Sequence, residues 1–139
     1  MTRLAFICTG NSCRSQMAEA FARRLAKPGV EVYSAGLAPI GLNPNTVGTM
    51  NEIGFDISKQ RSKNLEAIPK EIDYIVTVCG HANKLCPQLC AKIERVHWEI
   101  RDPIDKGSEE EIRSDFRKVR DEIREQVLVF LRGRNLLKP

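Results

Sequence analysis

The chain has 139 residues, 42% of them hydrophobic, with 22 Lys and Arg against 18 Asp and Glu and five cysteines. That is enough for one packed core and too little for a second domain; a net charge of +4, dispersed along the chain, is too mild for a nucleic-acid interface, and no run of about 18 apolar residues offers a membrane span. An odd cysteine count argues against a permanent disulfide framework, and the N-terminus lacks the segments of a secretory leader, so the expected setting is a cytoplasm that keeps thiols free for catalysis, redox exchange or metal binding.

In chain order, residues 3–8 (RLAFIC) form an apolar run of strand length, and the Gly-containing turn CTGNSCRS follows over 8–15. Met17, Phe21 and Leu25, at i, i+4 and i+8, predict a helix over 16–27. Pro28 and Gly29 break the chain before a strand over 30–34. A loop rich in Gly, Pro and Asn (36–45) leads to a short helix over 46–53, closed by Gly54. Residues 72–79 (IDYIVTVC) are a second buried strand and 93–98 (IERVHW) a weaker one. Ile112, Phe116, Val119, Ile123, Val127 and Phe130 recur at spacings of three or four and predict a long amphipathic helix over 109–132, whose opening Glu109, Glu110 and Glu111 suit the helix dipole.

Strands alternating with helices predict an α/β fold with a parallel sheet covered on both faces. Ligands of such sheets bind beyond the carboxyl ends of the strands. Cys8 and Cys79 end the first and third strands there, which brings both thiols toward one edge.

The turn after the first strand carries the most chemistry. Its backbone N–H groups, from Thr9 to Arg14, run into a helix N-terminus and are able to curl around an anion, with the helix dipole adding to the field. Gly10 supplies conformational freedom. Arg14 offers a planar fork for two oxygens of a tetrahedral oxyanion. The same donors favour a thiolate at Cys8, and Ser15 is placed to hydrogen-bond the sulfur. Asn11 braces the turn, and Cys13 packs within it. A Walker-type nucleotide loop is excluded, because no Gly-Lys-Ser/Thr follows.

Two further stretches matter. In IRDPID, Pro103 stiffens a loop that carries Asp102, a candidate to protonate a leaving oxygen. VCGHANKLCPQLC holds Cys79, Cys86 and Cys90. The cysteine spacings are not those of structural zinc, and neither His81 nor His97 completes a ligand pattern. Were the intervening chain helical, its rise would set Cys79 and Cys86 about 10 Å apart, whereas disulfide Cα atoms approach within about 7 Å. Pairing them therefore requires this segment to change conformation.

CTGNSCRS resembles the phosphate-binding loop of the low-molecular-weight protein tyrosine phosphatases and of the arsenate reductases built on that fold. The resemblance implies a single-domain, three-layer sandwich over 1–139 with a four-stranded parallel sheet. It also implies that Cys8 is the nucleophile and that Arg14 clamps an oxyanion cradled by residues Thr9, Gly10, Asn11, Ser12, Cys13, Arg14 and Ser15. Asp102 matches the general acid of this superfamily. Gln16 stands where phosphatases usually carry Pro, which is the reductase form. Ile104 stands where phosphatases tend to place an aromatic, and Arg101 where reductases often have a second Asp. The HW pair, His97 and Trp98, also matches the family and is expected to pack near the Asp102 loop.

VTVCGHANKLCP resembles the redox segment of thioredoxin-coupled arsenate reductases. That likeness implies Cys79 as the intermediate thiol and Cys86 as the terminal one, with no assigned place for Cys90. It further implies arsenate as substrate, phosphate or sulfate as competing anions, thioredoxin as electron donor, no bound cofactor and a monomer. Some relatives bind potassium through groups that match Asn11, Glu19 and Ser34, but Lys63 appears where they supply an Asp, and its ammonium is expected to take the cation's place. A phosphatase using Cys8, Arg14 and Asp102 alone, and a thiol-based arsenic or metal sensor, are the alternatives.

Overall fold

In a computed structural model of the chain, the structure describes residues 1–78 and 90–139. Cys79, His81 and Cys86 lie outside the described residues. Four strands, β1 (Thr2–Cys8), β2 (Val30–Gly36), β3 (Tyr74–Thr77) and β4 (Glu94–His97), form one parallel sheet in the order β2-β1-β3-β4. Three α-helices accompany them among the described residues, α1 (Arg14–Leu25), α2 (Pro44–Asn51) and α3 (Glu109–Gly133), with a short 3-10 turn over Leu65–Ala67.

The central strand explains itself. Leu4, Ala5, Phe6, Ile7 and Cys8 are all buried, the continuous apolar run of a parallel strand covered on both faces. Alternate side chains then serve different layers. Phe6 meets Trp98 at 5.7 Å between ring centroids, and Trp98 meets Phe130 of α3 at 6.1 Å. Ala5 and Ile7 line the opposite face with Leu65, Ile68 and Ile72 from the segment that enters β3. The edge strands are less buried, β4 throughout and β2 at Glu31 and Tyr33.

The elements follow the expected order, with shifted ends. Helix α1 starts at Arg14 rather than 16 because the turn carbonyls already feed it: Met17 N–H donates to Cys13 O at 2.9 Å. It stops at Leu25 because Ala26 is extended and bridges to Leu137, with Lys27 N–H donating to Leu136 O at 2.8 Å and Lys138 N–H to Leu25 O at 2.8 Å. Helix α2 starts at Pro44, since Asn43 Oδ1 accepts Asn45 N–H at 2.8 Å and caps it. Gly54, at φ +84°, closes it as expected. Helix α3 opens on a reciprocal capping box between Ser108 and Glu111.

The strand order places β2 on one side of β1 and β3 on the other. The chain's connections therefore diverge at the carboxyl end of β1, the position where such sheets open a crevice. Cys8 is the last residue of β1.

Candidate active site

The turn from Cys8 to Arg14 is shaped from outside. The carbonyls of Cys8, Thr9, Gly10 and Ser12 accept the N–H groups of Leu37, Ala38, Ile40 and Asn43, at 3.2, 2.8, 3.1 and 3.2 Å. Asn11 O accepts Gln16 Nε2 at 3.0 Å. In a planar trans peptide the N–H points opposite to the C=O. Drawing these carbonyls outward thus turns the N–H groups of the same peptide units toward the Cys8 side. Asn11 N–H shows the result directly, donating to Cys8 Sγ at 3.1 Å.

Gly10 does not play the conformational part expected of it. The left-handed residue is Asn11, at φ +46°, while Gly10 is not among the glycines with positive φ. A Cβ on Gly10 would lie 3.0 Å from Ile40 Cγ1, so its missing side chain makes room for the loop that shapes the turn. Gly36, paired with Cys8 across the β1–β2 register, is more constrained still. A Cβ there would stand 2.6 Å from Thr9 O and 2.9 Å from Asn11 N.

Asn11 is fully buried, and its amide is saturated. Its Nδ2 donates to Ser15 Oγ at 2.8 Å and Ser34 Oγ at 3.0 Å, while Oδ1 accepts from Lys63 N–H at 2.8 Å and Gln16 Nε2 at 3.0 Å. Four partners use the whole capacity of an amide and fix its orientation. Ser15 Oγ, which accepts from Asn11, lies 2.8 Å from Cys8 Sγ, and to a Cys8 thiolate it is the donor of the pair. Two donors therefore converge on the sulfur.

Arg14 is held across the crevice. Its Nη1 donates to Ile100 O at 2.8 Å and reaches Val78 O at 3.4 Å, and its Nε lies 3.4 Å from Asp102 Oδ1. The guanidinium is thus oriented by the ends of two chain segments that only the fold brings together. Cys8, Arg14 and Asp102 line one cavity of about 320 Å³, with Pro103 and Ile40 at its walls. The Asp102 side chain is 67% exposed and stands at the mouth. Ser12 and Thr9 also line it, and so does Cys13, where burial pushes the thiol pKa up and keeps it protonated.

Arg101 is turned away from this centre. It makes a two-pronged ion pair with Asp115 of α3, at 2.6 and 2.5 Å, while Arg14 Nε lies 3.4 Å from Asp102 Oδ1. Trp98 packs in the core against Phe6 and Phe130, and His97 links Thr77 Oγ1 and Glu99 Oε2 at 2.8 Å each. At Glu19, Ser34 Oγ donates to Oε1 at 2.5 Å, Lys63 Nζ lies 3.5 Å from the same oxygen, and Arg23 Nε donates to Oε2 at 3.0 Å. Two side-chain cations already neutralise this buried carboxylate.

The sequence reading missed Gly36, the carbonyl-binding loop from Leu37 to Asn43, and Asp115. A glycine ending the strand beside β1 was the one local signal for the first. For the others, partners more than ten residues apart leave no local pattern.

Comparison with known proteins agrees with this geometry. The profile described as low molecular weight phosphotyrosine protein phosphatase matches residues 3–138. An arsenate reductase of Halalkalibacterium halodurans is 46% identical over 127 residues, covering 90% of this chain and 91% of the relative. A solved structure described as an arsenate reductase in the phosphate binding state superposes with a TM-score of 0.81 at 32% identity, covering 96% of this chain and 98% of that one. A thioredoxin-dependent arsenate reductase of Corynebacterium glutamicum gives a TM-score of 0.74 at 26% identity, covering 96% of this chain and 61% of that one.

Proposed function

We propose that this chain, which belongs to the low molecular weight phosphotyrosine protein phosphatase family, reduces arsenate to arsenite with three of its own cysteines and electrons from thioredoxin. The observation that carries the reading is the Cys8 sulfur, held by Asn11 N–H and Ser15 Oγ at the base of a cavity that Arg14 and Asp102 also line. Those donors stabilise negative charge on the sulfur, and inward N–H groups with Arg14 suit a tetrahedral oxyanion.

In the first step the Cys8 thiolate attacks arsenic, an S–As bond forms, and an As–O bond breaks as Asp102 gives its proton to the departing oxygen, which leaves as water. Arsenic is still pentavalent. Cys79 thiolate then attacks the Cys8 sulfur, and the S–As electron pair passes to arsenic. Arsenite leaves and a Cys8–Cys79 disulfide remains. Cys86 attacks Cys79, freeing Cys8 and moving the disulfide to Cys79–Cys86, which thioredoxin reduces. The conservation of electrons is complete: two enter from thioredoxin for each arsenate reduced.

The test is NADPH oxidation by the purified protein with arsenate, thioredoxin and thioredoxin reductase. Arsenate-dependent oxidation is expected, and its absence overturns the reading. Cys79→Ser and Cys86→Ser are each expected to abolish multiple turnover; sustained reduction by Cys86→Ser rejects the relay as written and implicates Cys90. Phosphate monoester hydrolysis is the second reading, favoured by the family match and the same Cys8, Arg14 and Asp102 geometry. It needs neither Cys79 nor Cys86, so phosphatase turnover unchanged by both substitutions, without arsenate reduction, selects it.

The chemistry calls for no bound cofactor, and the chain acts as a monomer in this reading. The Glu19 ion pairs support Lys63 standing in place of a potassium ion. Equal melting temperatures in potassium and sodium chloride are expected; a strong gain in potassium overturns that assignment.

A further inference from the structure

Asp102 has a positional problem that Arg14 alone does not solve. It is exposed, its ion pair with Arg14 is 3.4 Å long, and it lies in a stretch without regular structure between β4 and α3. A general acid is useful only when its carboxyl is held where the leaving oxygen will be. On either side of Asp102 the chain anchors itself through Ile100 and Pro103, which are buried. Arg101 and Ile104, by contrast, are exposed.

One carboxylate restrains both. Asp115, on the first half of α3, accepts Arg101 Nη1 at Oδ2 (2.6 Å), Arg101 Nη2 at Oδ1 (2.5 Å) and Ile104 N–H at Oδ2 (2.8 Å). Its side chain is 13% exposed, while that of Arg101 is 53% exposed, so the carboxylate is the sheltered partner of the pair. Three charge-assisted bonds from one rigid helix thus bracket the Asp102–Pro103 dipeptide, and a bidentate pair also fixes direction. The next helix residue, Phe116, lines the cavity itself, so α3 carries the clamp and a wall of the site on adjacent positions.

We propose that Asp115 is a positioning residue for Asp102, acting through Arg101 and the Ile104 amide to aim the acid at the anion held over Cys8. This rests on Asp102 serving as the acid in the reading above. The clamp touches no group of the oxyanion loop, so its loss should slow the protonated step and leave anion binding nearly unchanged.

The experiment mixes prereduced protein with arsenate and follows arsenite release in the first turnover, for the wild type, Asp102→Asn, Asp115→Asn, Asp115→Ala and the double variant Asp102→Asn/Asp115→Ala, with melting temperatures measured alongside. Asp102→Asn is expected to lose about 100-fold in rate, at the lower end of what general acids contribute. Asp115→Ala should lose roughly 10-fold, with its half-saturating arsenate concentration changed less than about threefold. Asp115→Asn, which keeps an acceptor for Ile104, should fall between it and wild type. The double variant should be no slower than Asp102→Asn, because a misaimed acid that is already absent has nothing more to lose.

General damage to the fold would carry through to the Asp102→Asn background and multiply there, so multiplied losses overturn the proposal. Full activity of Asp115→Ala overturns it as well while leaving the acid role of Asp102 intact. If Asp102→Asn itself loses nothing, the acid assignment fails and the clamp has no catalytic object.

Discussion

Asn11 shows how much of this site depends on single residues. Its backbone is left-handed at φ +46°, a conformation an amide tolerates better than most side chains, and its side chain joins Ser15, Ser34, Gln16 and the backbone of Lys63. Asn11→Ala is expected to lose about 2 to 4 kcal/mol of stability, from strain and newly unpaired buried groups, measured by urea denaturation; a loss under about 0.5 kcal/mol, the level of an ordinary surface change, would contradict the brace. Ser15→Ala tests the sulfur itself. Removing one hydrogen bond to a charged group should slow the first turnover roughly 10- to 100-fold and lower the melting temperature, because buried Asn11 Nδ2 loses an acceptor, whereas a wild-type rate would show that Ser15 does not serve Cys8. Both residues were legible in CTGNSCRS as a brace and a sulfur partner. The assignment of conformational freedom to Gly10 was not right, because the turn's shape is dictated by a loop some thirty residues downstream, and Gly10 yields space to Ile40 instead.

At the level of elements, α3 does more than its amphipathic stripe suggests. Besides burying Phe116, Val119, Ile123, Val127 and Phe130, it secures α2 through Arg120 Nη1, which donates to Thr49 O at 3.0 Å, and Arg117, which pairs with Glu52. Its start depends on the Ser108–Glu111 capping box, so Ser108→Ala should cost about 1 kcal/mol in chemical denaturation. Its Asp115 joins the helix to the acid loop and brings a pH signature. Hydrogen bonding to Arg101 first, then to the Ile104 amide, holds the Asp115 carboxyl at a pKa of about 2. A depressed folded-state value means that the unfolded chain binds the proton more readily, so the contribution is complete above the ordinary carboxylate range and is lost as pH falls toward 2. The stability gap between wild type and Asp115→Asn should therefore be widest near neutrality and close in acid. A gap that stays constant from pH 6 to pH 2.5 would show that the ion pair has no such role.

For the whole molecule, the site is a product of the sheet order. Cys8 ends β1, Arg14 begins α1, and the Arg14 guanidinium finds its acceptors at Val78 and Ile100, beyond β3 and β4. An anion bound there links these segments, so phosphate or arsenate at about 100 times its dissociation constant should stabilise the fold by roughly 2.7 kcal/mol, read as a rise in melting temperature. Arg14→Ala should lose most of that rise, and an equal rise in both proteins would place the anion elsewhere. Local signals in the chain, namely apolar runs, helical periodicity, the Cys-to-Ser turn and the Asp-Pro dipeptide, were sufficient for the parallel α/β architecture and for Cys8, Arg14, Ser15 and Asp102, since each is a pattern written within a few neighbouring residues. Only the tertiary structure decided that Gly36 must lack a side chain, that the turn's carbonyls are drawn outward by residues 37–43, that Glu19 is already paired with Lys63 and Arg23, and that Asp115 grips the acid loop. These contacts join positions 4 to 44 residues apart in the chain through backbone direction and side-chain reach, quantities that no stretch of sequence carries until the sheet and helices are in place.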